Sequence, residues 1–347
     1  MTARTTDLKM TSLKEHIYGC LVGVAAGDAM GMPTSLMSPG SIKGTFVDYV
    51  EDFLPAPKGH VIHDKMVAGQ VTDDTQQTLL IADSIIDTGG VDPRDIARRL
   101  LKWAEDIGAF DSLLVGPSSL RALHLMRAGV PIERSGITGD TNGACMRIAS
   151  VGVYGNGELE KTVDAVANAC MATHYTNIAI AGASAVAMVI GCANRGMNDV
   201  DELIGRAMEA VDLGMKRGTV WYGASVRSRT ELALQIVNRS RDKDRVMREL
   251  YETIGAGVAT TETVPVCLAI LKFANGQPVD AIRMAVNLGG DCDTTASIVG
   301  GMCGAIAGVR AFPSQWIDKL EEVNSLHLEG YADKLAETVA KGGGDTA

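Results

Sequence analysis

The sequence predicts an all-α protein built as one compact domain, on three observations. Aromatic residues are only 4% of the chain, while 39 glycines and long stretches of Ala, Leu, Met and Ile favour close-packed helices. Strands prefer β-branched and aromatic side chains on a pleated surface, so an extensive sheet is disfavoured. Helix-start signals recur along the chain, and no competing run of alternating strand pattern appears.

In chain order, residues 1–10 are polar and are expected to be a flexible tail, residues 11–340 a single domain, and residues 341–347 a second, Gly-rich tail. Amphipathic patterns cover Leu13 to Ala26, Thr78 to Ile86, Leu159 to Ala172, Val200 to Leu213, Arg227 to Val237, Asp244 to Ile254 and Val279 to Leu288. The clearest start is Val91-Asp92-Pro93-Arg94-Asp95, where Asp92 can cap, Pro93 suits the first helical position and Asp95 favours the N-terminal dipole. A helix through Trp103 should follow. The stretch from Pro33 to Gln70, broken by Pro39, Gly40, Pro55, Pro57 and Gly59, reads as a long surface loop. Ile178 to Ala193 is apolar but rich in Ala and Gly, and shorter than the roughly 20 residues a bilayer needs. It reads as a buried helix.

Charge and composition narrow the function. The 347 residues carry 32 Lys+Arg against 42 Asp+Glu, a net charge of −10 that suits neither a nucleic-acid backbone nor a membrane surface. With 46% hydrophobic and 21% charged residues, wholesale disorder is excluded. Seven scattered cysteines without a CxxC pair argue against a disulfide framework or a zinc knuckle and for reduced, buried thiols. The N-terminus has no apolar signal core, so a cytoplasmic location is expected.

Two acidic clusters stand out, Gln70-Val71-Thr72-Asp73-Asp74-Thr75 and Asn287-Leu288-Gly289-Gly290-Asp291-Cys292-Asp293-Thr294-Thr295. Each puts carboxylates and hydroxyls where a turn meets a helix start, which tolerates anionic side chains. Such residues are also ordinary helix caps. Two clusters together, with paired glycines before one, favour carboxylates pressed together and neutralised by a hard cation, Mg²⁺ or Mn²⁺, bound through oxygen. Gly23 to Gly31 holds small residues around Asp28, which suits close packing of backbones. No GxGxxG or GxxxxGK[ST] pattern supports a dinucleotide or P-loop site. His60 and His63 lack the glutamate of a zinc-protease helix and read as surface-loop histidines. Gly139 to Arg147 reads as another turn opening a helix, with N–H groups free to face a phosphate or a ribose, and His174 precedes the buried helix.

Taken in order, GVAAGDAMGMP, VTDDTQQT, GDTNGACMR, THYTN and LGGDCDTTA resemble the ADP-ribosylglycohydrolase family, over most of the chain from Gly23 to Ala296. The resemblance implies an all-α fold with two Mg²⁺, or Mn²⁺, in a central cleft. Thr72, Asp73, Asp74, Asp291, Asp293 and Thr294 would be metal ligands, the four aspartates also acting in catalysis, and Asp28, Asn142, Gly143 and His174 would contact or support the substrate. Many relatives carry a glutamate where this chain has Ser35, which leaves the general base to a cluster carboxylate or to metal-activated water. The expected activity is removal of ADP-ribose from a protein side chain or small molecule. The alternatives are hydrolysis of a free riboside and, from another class, non-catalytic binding of ADP-ribose, as in crystallin-like relatives. The acceptor atom and the oligomeric state are left open.

Overall fold

The structure is a computed structural model that describes residues 2–47 and 49–342, with side chains from residue 12 to 341 except 48. Among the described residues there are seventeen α-helices and no sheet; extended backbone pairs only as single bridges such as Met37 with Gly290. The helices are α1 Thr2–Gly31, α2 Pro39–Phe46, α3 Asp73–Thr88, α4 Pro93–Asp106, α5 Pro117–Arg127, α6 Ile132–Ser135, α7 Ala149–Gly155, α8 Leu159–Cys170 and α9 Asn177–Asn194. They continue as α10 Val200–Gly214, α11 Val226–Arg239, α12 Lys243–Thr253, α13 Thr260–Phe273, α14 Pro278–Val286, α15 Cys292–Ala307, α16 Ser314–Asn324 and α17 Leu328–Gly342.

Local chemistry accounts for the helix starts. Asp92 caps α4 by accepting from the Arg94 and Asp95 N–H groups at 2.8 and 3.2 Å, with Pro93 in the first position where no N–H is needed. Three expectations are corrected. The tail assigned to residues 1–10 is helical from Thr2, as the first turns of α1. The tail expected at 341–347 begins inside α17, which runs to Gly342; 343–347 lie outside the described residues. The Pro33–Gln70 loop contains α2, because Pro39 takes the first helical position and Ser38 accepts from the Ser41 N–H at 3.1 Å.

The interior is a bundle of apolar helices. All 18 residues of α9 are buried, so this span sits inside the protein, packed by α7, α8, α10, α13 and α15. All seven cysteines are buried free thiols. The tightest pairing is α1 on α15. A Cβ on Gly23 would stand 2.0 Å from the Gly300 carbonyl oxygen, one on Gly27 2.0 Å from that of Ala296, and one on Gly31 2.5 Å from that of Cys292. Glycine every four residues therefore lines the face of α1 on which α15 lies, backbone against backbone.

Overpacking at this seam should outweigh the helix-propensity gain of alanine. Gly23→Ala is expected to lower the unfolding free energy by about 1–3 kcal/mol, whereas Gly205→Ala, with nothing within 4 Å of its would-be Cβ in α10, should raise it by about 0.5–1 kcal/mol. Denaturant unfolding of both variants checks the pair; a Gly23→Ala protein as stable as the Gly205→Ala protein contradicts the seam.

Candidate active site

The seam sets the level at which two helix starts meet. Asp28 follows Gly27 on α1 and is fully buried. Its carboxylate accepts from Thr72 Oγ1 at 2.7 Å and from the Thr72 and Thr75 N–H groups at 3.0 and 3.1 Å, and Thr75 Oγ1 also donates to it. Asp28 thus caps α3 from another helix. Burial pushes it up to about 6, against the pull of these hydroxyls. Asp28, expected to contact the substrate or support the site, has its oxygens on α3 and does not line the cleft, which leaves it the supporting role.

The second start is made by Gly289 and Gly290 at φ +92° and +81°, conformations that disfavour a side chain, and a Cβ on Gly290 would lie 2.0 Å from the Ala256 carbonyl oxygen. The Asp291 N–H donates to that same oxygen at 2.7 Å. This delivers Asp291, Asp293 and Thr294 to the first turn of α15, facing Asp73 and Asp74 across a cleft of about 390 Å³. The hydroxyls of Thr72 and Thr294 both approach Asp74 Oδ2 at 3.4 Å, while Asp74 Oδ1 is buried without a hydrogen-bond partner.

Electrostatics divides the carboxylates. Burial, then the charge of Asp293, pushes Asp73 well above the usual range; burial, then the charge of Asp28, does the same to Asp74. Asp291 rises to about 8 through burial and the neighbouring Asp293. Asp293 is the exception. Burial would raise it too, but donors from His63 Nε2 at 3.0 Å, Ser35 Oγ at 2.7 Å and the Thr294 N–H at 3.0 Å hold it below the carboxylate range. Acidic side chains gathered in one cleft leave a deficit of positive charge.

Of the residues expected at the substrate, Asn142 and Gly143 line the cleft. The Asn142 side chain is committed, donating to Asp291 Oδ2 at 2.6 Å and to Thr263 Oγ1 at 2.9 Å, and its N–H goes to the Val258 carbonyl at 2.8 Å. The turn expected to open a helix with free N–H groups is a short 3₁₀ turn, Asn142–Ala144, and α7 starts only at Ala149. His174 is corrected: it is fully buried one layer back, its ring behind Gly143 and bonded to Thr141 Oγ1 at 3.1 Å. Burial holds it well below its ordinary range, so it is neutral.

The histidines expected on a surface loop are also corrected. His60 ties that loop down, with Nε2 on the Ser35 carbonyl oxygen at 2.9 Å, and His63 is 4% exposed, stacked on His60 and lining the cleft. Further lining comes from Leu36, Ile62, Leu114, Ser119, Met146 and Val258. Among the described residues, no Lys or Arg lines the cleft.

The chain is similar to several known proteins. A sequence profile for ADP-ribosylglycohydrolase matches residues 9–344. The uncharacterized protein YegU of Escherichia coli (strain K12) is 36% identical over 328 residues, covering 93% of this chain and 97% of that protein. The ADP-ribosylarginine hydrolase Tri1 of Pseudomonas putida (strain GB-1) is 24% identical, over 96% of this chain and 81% of that one. A solved structure of an ADP-ribosylglycohydrolase-related protein complex superposes with a TM-score of 0.68 at 25% identity, covering 95% of this chain and 99% of the other. The chain belongs to the ADP-ribosylglycohydrolase family and is an enzyme of its hydrolase class.

Proposed function

We propose that this protein hydrolyses the glycosidic bond between the ribose of ADP-ribose and an acceptor, and that it does so with Mg²⁺ or Mn²⁺. The observation that supports the metal requirement is Asp74: a buried carboxylate oxygen without a partner, beside two threonine hydroxyls and within the charge of Asp28, Asp73, Asp293 and Asp291. Among the described residues no three His, Cys, Asp or Glu side chains are already gathered as a finished metal centre. The donor set we propose is the one the family motifs supply, Thr72, Asp73 and Asp74 at the start of α3 and Asp291, Asp293 and Thr294 at the start of α15. All-oxygen donors of this kind suit a hard cation. When bound, such ions orient ribose hydroxyls and lower the pKa of water.

The chain's own residues supply the rest. Cleavage at the anomeric carbon builds positive charge on the ribose ring. Asp293, held ionised by His63 and Ser35, is the carboxylate best prepared to stabilise that charge. Asn142 keeps Asp291 in place, and the apolar side chains of Leu36, Ile62, Leu114 and Val258 limit water. Ser35, where many relatives carry a glutamate, leaves proton acceptance to a carboxylate of the cluster. A second reading, hydrolysis of an uncharged riboside, is favoured by one observation: among the described residues no Lys or Arg lines the cleft to pair with a diphosphate. The buried free thiols suit work in a reducing, cytoplasmic setting.

Incubation with ADP-ribosyl-arginine, an ADP-ribosyl-serine peptide and a nucleoside panel, followed by mass spectrometry, separates the two readings. Release of ADP-ribose that stops in EDTA supports the first; release of ribose from a nucleoside alone replaces it with the second. Asp293→Asn should lower turnover roughly 10²- to 10³-fold while the melting temperature stays near that of the wild type. Normal turnover in this variant contradicts the role given to Asp293.

The pKa shifts also fix a sign. Asp28, Asp73, Asp74 and Asp291 are raised in the fold, so the metal-free native state keeps protons that the unfolded chain releases. That stability is present at low pH and is lost as pH climbs toward about 6 for Asp28 and about 8 for Asp291. Asp293, shifted down, acts in the opposite sense in the acid range, and His60 and His174, lowered from 6.5 by burial, offset part of the carboxylate effect at pH 5. In EDTA the protein should therefore melt lower at pH 8 than at pH 5, and saturating Mg²⁺ should remove most of the difference by binding the native state. A melting temperature in EDTA that is equal or higher at pH 8 is inconsistent with this account.

A further inference from the structure

Two residues that line the cleft, Asp73 and Thr141, are the ends of one buried hydrogen-bond chain. At its centre is Arg147, 1% exposed. In one direction Arg147 Nη1 donates to Gln77 Oε1 at 2.7 Å, and Gln77 Nε2 donates to Asp73 Oδ2 at 3.0 Å. In the other, Arg147 Nη2 donates to Thr173 Oγ1, which lies 2.9 Å from His174 Nδ1, and His174 Nε2 lies 3.1 Å from Thr141 Oγ1. Gln77, Thr173 and His174 are all buried. Among the described residues Arg147 makes no ion pair; its partners are neutral.

A guanidinium can only donate, and this fixes the polarity of the Gln77 arm. Gln77 must turn its carbonyl to Arg147, so its amide N–H faces Asp73. Asp73 Oδ2 is thereby held, and Oδ1 is left for the cleft. On the other arm Thr173 accepts from Arg147 and still has a proton to give, and the tautomer of neutral His174 that accepts it at Nδ1 extends the chain. The ring proton then sits on Nε2 and is donated to Thr141. The Thr141 hydroxyl, having accepted, keeps its proton for the cleft that it lines. Burying a guanidinium among neutral partners is costly, and burial lowers Arg147 to about 10.

We propose that Arg147 is a positioning residue of the hydrolase site, which orients Asp73 through Gln77 and points the Thr141 hydroxyl toward substrate through Thr173 and His174. This rests on the cleft being the active site described above. It adds to that reading a direction of hydrogen bonding toward both cleft residues, set by a residue that touches neither substrate nor metal.

The test compares wild type, Gln77→Met, Arg147→Met and the double variant. Circular dichroism confirms folding at the assay temperature; calorimetry gives Mn²⁺ affinity, and steady-state kinetics give kcat and KM on whichever substrate the wild type cleaves. Gln77→Met should fold and lose roughly 10- to 100-fold in Mn²⁺ affinity and in kcat, the range seen when residues that orient metal ligands are removed. Arg147→Met should lose at least as much and also shift KM through Thr141. The double variant should be no worse than Arg147→Met, because both changes cut one chain. A folded Gln77→Met protein with wild-type Mn²⁺ affinity and kcat overturns the proposal, as does strict additivity. If Arg147→Met does not fold, Gln77→Met decides. If the wild type cleaves none of the substrates but binds Mn²⁺, the proposed activity fails and the affinity ratio alone judges the chain. If it neither cleaves nor binds, both fall.

Discussion

The close approach of α1 and α15 is the constraint on which the rest of the structure depends. Glycines at four-residue spacing let the two backbones touch, and the register of that contact sets what comes to the end of each helix. Asp28, next to Gly27, arrives where it can cap α3, while Gly289 and Gly290 turn the chain so that α15 begins beside it. A side chain at the seam would move α15 outward and, with it, Asp291 and Asp293. Packing and chemistry are therefore the same problem in this protein. The sterically cheapest residue is used where two helices must meet so that acidic helix starts can face each other.

Such an arrangement concentrates negative charge in a place that resists it. Helix N-termini ease the cost, since partial positive charge at the start of α3 and α15 favours Asp73, Asp74 and Asp293. Hydrogen bonds divide it unevenly: Asp293 has three donors and stays ionised, whereas Asp74 has an oxygen with none. This imbalance is the physical content of the metal proposal, because a divalent cation satisfies the orphaned oxygen and the excess charge together. It also explains why stability is spent at the site, in keeping with the usual conflict between a relaxed interior and a prepared cleft.

The sequence carried the architecture where local rules suffice. The cap at Asp92-Pro93, the apolar run that became α9, and the acidic starts at Thr72 and Asp291 are all local patterns, and each lies where reading them placed it. What escaped depends on contacts distant in sequence. His63 has an ordinary loop context, and its meeting with Asp293, 230 residues away, has no local signature. Asp28 sits in a motif that suggests a ligand contact, but its actual partners are the backbone and hydroxyls of α3. His174 precedes a buried helix in a family motif, yet it faces Thr141 from behind. Helix α13 gave no periodic signal because 10 of its 14 residues are buried and Pro265 interrupts it. Residues 2–10 read as a polar tail, although they continue the register of α1.

The central claim, that two glycine-positioned helix starts form one oxygen-lined cation site, is tested most directly by anomalous diffraction at the manganese edge from crystals grown with Mn²⁺ and ADP-ribose. The account predicts manganese peaks between α3 and α15, with Asp74 Oδ1 in direct coordination at about 2.0–2.4 Å and the ribose beside them. A fully loaded crystal with manganese elsewhere, or with Asp74 Oδ1 still without a partner while ADP-ribose is bound, would contradict it.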